Sequence, residues 1–315
     1  MKKLIVAILV AVLVLVLIAP AVVAKPDMDK PLPATDIQLV KKITLRGKPG
    51  GGGGGKPVQQ AATGELGSAC VGNKYAIVVG ISDYPGTVND LQYCDDDAQD
   101  VFDALTTLCG YNSTNIHLLT DMDASFTAIK AAIDGVKAQA VAGDEVVFFF
   151  SGHGANGKYA YDNAQDRLQG VDSNGIDEAI ICHNGSQNGQ LLYVWDGQLR
   201  DWFAGFQTSR IILIFDSCLA GGMTDLQASG RIINMACSEN GLSYEDASWG
   251  NGQFTYYFVD QGMVSGLAGK YDYNGDGFCY QPRDVSVEEA FDYAKANCQM
   301  QKPTISDSFS NDLLL

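Results

Sequence analysis

His153 and Cys218 are the two residues of this 315-residue chain whose type and setting point most directly to chemistry. His153 stands in Ser151-Gly152-His153-Gly154, directly after the apolar run Val146-Val147-Phe148-Phe149-Phe150. Cys218 stands in Asp216-Ser217-Cys218-Leu219-Ala220-Gly221-Gly222, directly after Ile211-Ile212-Leu213-Ile214-Phe215. Such runs, rich in β-branched and aromatic residues, read as buried parallel strands, and ligands gather beyond the carboxyl ends of such strands. Both motifs are therefore expected to face one crevice. An imidazole beside a thiol lowers the thiol pKa or takes its proton, which is the minimum for nucleophilic catalysis. Singly, a cysteine after an apolar strand reads as packing and a histidine between glycines as a turn. Complementary chemistry at two strand ends is what turns the reading toward catalysis.

The elements that must position this pair follow from hydrophobic period. Strands are expected at Tyr75–Ile81, Asn115–Leu119, Val146–Phe150, Ala179–Cys182, Ile211–Phe215 and Arg231–Ala236. Helices are expected at Asp96–Leu108, Thr127–Val141, Gln198–Phe203, Phe254–Val264 and Val287–Ala296. Right-handed crossovers would join these into one open sheet covered on both faces. An apolar share of 46% supports a sizeable core.

The first 24 residues are set apart by Lys2 and Lys3, an apolar run from Leu4, Pro20 and the small-residue end Val22-Val23-Ala24. They read as a secretory signal, or as a membrane anchor if uncut, and either way the rest of the chain is expected outside the cytoplasm. Residues 25–67 carry Pro26, Pro31, Pro33 and six consecutive glycines from Gly50 to Gly55, so they read as a flexible pro-segment or tether. Arg46, Lys48 and Lys56 lie there, and if the chain cuts after basic residues they are natural sites for self-processing. Residues 68–315 form the expected catalytic domain. A formal charge of −16 argues against nucleic acid as a partner, since like charges would repel. Of the eight cysteines, keeping Cys218 free leaves seven, so at least one more stays unpaired, and Cys94 is the candidate. Their spacing fits no zinc site.

With Lys74-Tyr75-Ala76-Ile77-Val78-Val79-Gly80-Ile81 and Leu91-Gln92-Tyr93-Cys94-Asp95-Asp96-Asp97-Ala98 ahead of them, the two strand-end motifs resemble the caspase-like cysteine peptidases, closest to the metacaspases. The likeness runs from about Lys74 to about Ala294. It implies an α/β caspase-hemoglobinase fold, a three-layer sandwich with a mainly parallel central sheet between helices. It also implies that Cys218 attacks the scissile carbonyl while His153 protonates the leaving amine, with the backbone N–H groups of Gly154 and Cys218 receiving the oxyanion. By the same likeness Asp97 and Asp216 line the pocket for the residue before the cut. Two carboxylates there would select arginine or lysine and repel aspartate. Protein or peptide substrates with a basic residue are thus the expected partners.

Family likeness further implies activation by calcium through Asp177, Asp196 and Asp225. Separately, Asp272-Tyr273-Asn274-Gly275-Asp276-Gly277 has the D-x-N-x-D-G opening of an EF-hand loop, so Asp272, Asn274 and Asp276 are candidate calcium ligands. Position 12 is Arg283 rather than glutamate, and the loop would close only if Glu288 or Glu289 returned to it. No organic cofactor is expected. Two other readings stand beside the main one: a clostripain-like or legumain-like peptidase, and an inactive calcium-binding surface module that keeps the peptidase fold.

Overall fold

The structure, a computed structural model, describes residues 27–32, 34–45, 60–158, 176–184 and 190–315. The expected signal at 1–24 and the basic residues Arg46, Lys48 and Lys56 lie outside the described residues.

Six strands form the central sheet: β3 (Lys74–Gly80), β4 (Ile116–Thr120), β5 (Glu145–Ser151), β9 (Ile211–Asp216), β10 (Arg231–Met235) and β13 (Thr304–Asp307). Their order is β13-β10-β9-β5-β3-β4, parallel throughout except for β13, which pairs antiparallel with β10. Every residue of β5 and β9 is buried. Along these strands the side chains alternate between two cores, as the period of two requires. Ile77, Val79, Phe148, Phe150, Leu213 and Phe215 pack on one face with helix α2 (Phe126–Gln139), contributed by Ile129, Ile133 and Val136. Ala76, Val78, Val147, Phe149, Ile212 and Ile214 pack on the other with α1 (Cys94–Thr107), through Ala98, Val101 and Leu105. At roughly 1.5–3 kcal/mol for each fully buried large apolar side chain, these two layers supply the main driving force for folding.

Register then places the chemistry. Gly80 pairs with Ser151 and Ser151 with Asp216, so β3, β5 and β9 end level with one another. The residues immediately beyond, Gly152-His153 and Ser217-Cys218, are delivered to one edge of the sheet.

Expectation and structure differ in three places. First, Ala179–Cys182 is a strand but does not join the central sheet. It forms β7 (Asp177–Cys182) of a separate four-stranded sheet, order β1-β6-β7-β8, with β1 (Thr35–Val40), β6 (Gly154–Lys158) and β8 (Leu192–Trp195). Second, a small sheet of β2 (Ile43–Thr44), β11 (Tyr244–Asp246) and β12 (Asn251–Gly252) was not foreseen. Third, the flexible-tether reading of residues 25–67 does not hold for 35–44, which supply β1 and β2. The remaining helices are α3 (Asp196–Phe203), α4 and α5 (Val287–Asn297). Helix α4 opens as an α-turn over Gln253–Thr255 and continues as a π-helix over Tyr256–Val264.

Candidate active site

The imidazole of His153 is held from three sides. Nε2 meets the Asn89 carbonyl at 2.8 Å, which fixes the tautomer with the proton on Nε2 and leaves Nδ1 as the acceptor. The Tyr84 ring stacks on it at 4.8 Å, and the Tyr84 hydroxyl accepts the His153 backbone N–H at 3.0 Å. Gly152 allows this contact, because a Cβ there would lie 2.6 Å from the Tyr84 hydroxyl oxygen. Burial pushes the imidazole down to about 4, so it is neutral at physiological pH. Asn89 thus plays the orienting part for which no residue could be named from the sequence. It acts through its backbone, and a carbonyl leaves no side-chain signature.

Cys218 follows β9 at the point where Leu219 takes a left-handed conformation, φ 63°, and the chain turns into a 3-10 helix over Ala220–Leu226. Its Sγ accepts the Ser243 N–H at 3.1 Å. Gly154 packs against the Cys218 carbonyl so closely that any Cβ would overlap it. Burial pushes the thiol up to about 11. In this arrangement both members of the dyad are neutral.

Asp97 and Asp216 do face one pocket, and both are fully buried. Asp216 Oδ2 accepts the N–H and hydroxyl of Thr255, at 3.0 and 2.8 Å, at the start of α4. Its Oδ1 accepts from Ser243 Oγ at 2.5 Å. Asp97 Oδ1 accepts the Gly252 N–H at 2.8 Å and Oδ2 accepts from Ser151 Oγ at 2.6 Å. Ser151, Glu245 and Gly252 belong to this pocket as well and were not foreseen, because strands distant in sequence bring them there.

A lysine occupies the pocket. The Lys42 Nζ, completely buried, lies 3.1 Å from Asp216 Oδ1, 3.4 Å from Asp97 Oδ2, 2.9 Å from Ser151 Oγ and 3.2 Å from the Asp216 carbonyl. Burial works against its charge, but Asp216, Cys94, Asp97 and Glu245 outweigh that and hold the ammonium well above its ordinary pKa. One ammonium does not neutralise this many acids. Burial raises the Asp97 carboxyl to about 7 in spite of Lys42. The backbone beside Lys42 reaches the dyad itself: the Lys42 N–H donates to His153 Nδ1 at 3.0 Å, and the Lys41 carbonyl oxygen lies 3.3 Å from Cys218 Sγ. A single peptide unit therefore bridges thiol and imidazole, which confirms that both face one crevice.

The calcium candidates come out differently. Asp196 Oδ2 accepts the Glu178 N–H at 3.2 Å, which sets it beside Asp177, but Asp225 is paired with Arg200 at 3.1 Å. In the second set, Asp272 accepts the N–H groups of Gly275 and Gly277, each at 2.7 Å, and Asn274 and Asp276 accept N–H groups of Asp276 and Phe278. Glu289 reaches the residues just ahead of this loop, its Oε1 accepting the N–H groups of Lys270 and Tyr271 at 2.7 and 2.8 Å while it caps α5 through Ser286, and Glu288 receives the Leu313 N–H instead. The acid nearest in sequence that does pack against it is Asp284, whose Oδ2 accepts the Tyr273 N–H at 3.0 Å while Oδ1 is buried without a hydrogen-bond partner. Among the described residues, no three His, Cys, Asp or Glu side chains stand close enough together to hold a metal ion. All eight cysteines are unpaired, Cys94 among them.

Comparison with known proteins supplies the context for this geometry. A family model described as the caspase domain matches residues 73–307. Metacaspase-1 of Candida glabrata is 30% identical over 167 residues, covering 50% of this chain and 40% of that protein. Metacaspase-4 of Arabidopsis thaliana is 30% identical over 159 residues, covering 48% of this chain and 34% of that one. The match thus spans less than half the length of either relative. The solved structure of protein GSU0716 from Geobacter sulfurreducens shares the fold, with a TM-score of 0.53 at 15% identity over 75% of this chain and 93% of its own.

Proposed function

Because this chain belongs to the caspase-domain family of cysteine peptidases, which are hydrolases, we propose that it is a metacaspase-type endopeptidase cutting after lysine or arginine. The observation that carries this reading is the Lys42 ammonium seated between Asp97 and Asp216, one peptide unit from Cys218 and His153. A cavity that already satisfies a buried ammonium would bind a substrate's lysine the same way, and a guanidinium would reach both carboxylates. An aspartate side chain would meet two like charges.

In the proposed reaction His153 takes the Cys218 proton and the sulfur attacks the carbonyl carbon of the basic residue. The N–H groups of Gly154 and Cys218 receive the oxyanion, where losing a single donor typically costs about 3 kcal/mol of barrier. Collapse breaks the C–N bond, and the His153 proton goes to the departing amine. His153 then takes a proton from water, which hydrolyses the thioester and returns the free thiol.

Calcium stimulation belongs to the proposal through Asp177, Asp196 and Asp225, with Arg200 turned away from Asp225, or through the loop of Asp272, Asn274 and Asp276, which the unpartnered Asp284 Oδ1 would complete once the loop oxygens turn from their own N–H groups. Export through residues 1–24 and self-processing at Arg46, Lys48 or Lys56 belong to it as well. The test is a fluorogenic peptide library varied only at the residue before the cut, read with calcium and with chelator. Turnover confined to lysine and arginine, and higher with calcium, is the expected result. Preference for aspartate or for apolar residues would refute the pocket assignment.

A further inference from the structure

We propose that residues 35–45 are a built-in inhibitor, lying through the cleft with chain direction opposite to that of a productive substrate, so that Lys42 fills the basic-residue pocket without being cut. The proposal rests on the peptidase reading of that pocket and goes beyond it to how the site is controlled.

Chain direction is legible in which atoms meet the dyad. In a productive complex, the residue whose side chain fills the pocket supplies the carbonyl attacked by sulfur. Here the pocketed residue, Lys42, instead turns its N–H to His153 Nδ1, and the carbonyl at Cys218 Sγ belongs to Lys41. Attack on that carbonyl would cut after Lys41, whose Nζ is bound to the Val88 carbonyl at 2.6 Å, outside the acidic pocket. Two details oppose even that cut. Sulfur stands at the carbonyl oxygen, in the position of a thiol donating a hydrogen bond. His153 Nδ1, the base that would take the Cys218 proton, is already occupied by the Lys42 N–H, so the thiol is left without its proton acceptor.

Both flanks hold this geometry in place. On one side β1 pairs antiparallel with β6, setting Val40 against Gly154 and Leu39 against Ala155. On the other, β2 pairs parallel with β11, with Ile43 N–H donating to the Ser243 carbonyl and Leu45 N–H to the Glu245 carbonyl, each at 2.9 Å. Thr44 Oγ1 adds a 2.5 Å bond to Glu245. The inhibitor is thus a strand added at two sheet edges, with a lysine as its anchor. Covalent connection through residues 46–59 keeps it at high effective concentration, and cutting within that stretch would make its binding bimolecular and concentration-dependent. Arg46, Lys48 and Lys56 are the basic residues available there.

The test uses the full chain, as wild type, Lys42→Arg and Lys42→Ala, with melting curves to show that each is folded. Two readouts are followed: turnover of an arginine-terminated fluorogenic peptide, and the rate of Cys218 alkylation by iodoacetamide, located by mass spectrometry. Lys42→Ala is expected to raise both by roughly tenfold or more, because its carboxylate partners lose their buried cation, while Lys42→Arg stays near wild type. The wild-type chain is expected to show no fragment beginning at Ile43. Such a fragment, or equal alkylation rates in wild type and Lys42→Ala, would overturn the proposal. Faster alkylation without turnover in any variant would uphold the inhibitor and refute the peptidase reading instead.

Discussion

At the scale of single residues, Gly252 leaves the space that the Lys42 ammonium fills between Asp97 and Asp216. Its backbone is ordinary, φ −63° and ψ 142°, so strain does not explain a glycine there. A Cβ would overlap Asp216 Oδ2 and lie 2.5 Å from Lys42 Nζ and 2.9 Å from Asp97 Oδ2, in the space the ammonium occupies. Gly252→Ala is therefore expected to lower kcat/KM for lysine and arginine peptides roughly tenfold or more, since pockets discriminate by that much per methylene. Steady-state kinetics on matched peptides checks this, and an unchanged kcat/KM would place the substrate's side chain elsewhere. His153 and Cys218 were legible in the sequence because short motifs at strand ends carry them, whereas Asp97, in the first turn of α1, and Asp216, at the end of β9, were assigned to the pocket only through the likeness to the metacaspases. Gly252, Glu245 and Lys42 were not legible, since they reach the pocket only through tertiary pairing of segments that show no local pattern.

At the scale of elements, hydrophobic period located the strands and helices that carry the core, and the level ends of β3, β5 and β9 then bring two motifs 65 residues apart in the chain to one sheet edge. Short strands at the margins escaped. β2 and β12 have two residues each, too few for any alternation to show. β6 runs Gly154-Ala155-Asn156-Gly157-Lys158, a composition that reads as a loop and becomes a strand only because β1 and β7 pair with its two edges. Proline and glycine dominate residues 25–67, and that average conceals the strand-forming Ile37-Gln38-Leu39-Val40 and Ile43-Thr44. The composition of a whole segment misleads when a short stretch within it has a docking site.

For the whole molecule, buried ionisable groups set the response to pH. Burial raises Asp97 and Asp260 from 3.8 to about 7 and Glu288 from 4.5 to about 8, so the folded chain keeps protons that the unfolded chain has already lost. Each contributes stability that is present below its unfolded pKa and lost as pH rises through its folded one. His153 acts in the other sense, since its fall from 6.5 to about 4 penalises folding as pH drops across that interval. Above 6.5 His153 no longer contributes while these carboxyl groups still do, and the formal charge of −16 adds repulsion of the same sign. The Tm is thus expected to fall between about pH 6.5 and pH 8, with a shallower slope in Glu288→Gln. A Tm that rises over that range in thermal melts would contradict this account. The claim on which everything else depends is that one thiol, beside one imidazole, serves a pocket for basic side chains. Its most direct test is alkylation of the Lys42→Ala chain by peptidyl chloromethyl ketones ending in lysine or in aspartate, followed by mass mapping. The account predicts one lysyl adduct per chain, on Cys218, with the aspartyl reagent unreactive. Equal labelling by both reagents, or a lysyl adduct on another cysteine, would contradict it.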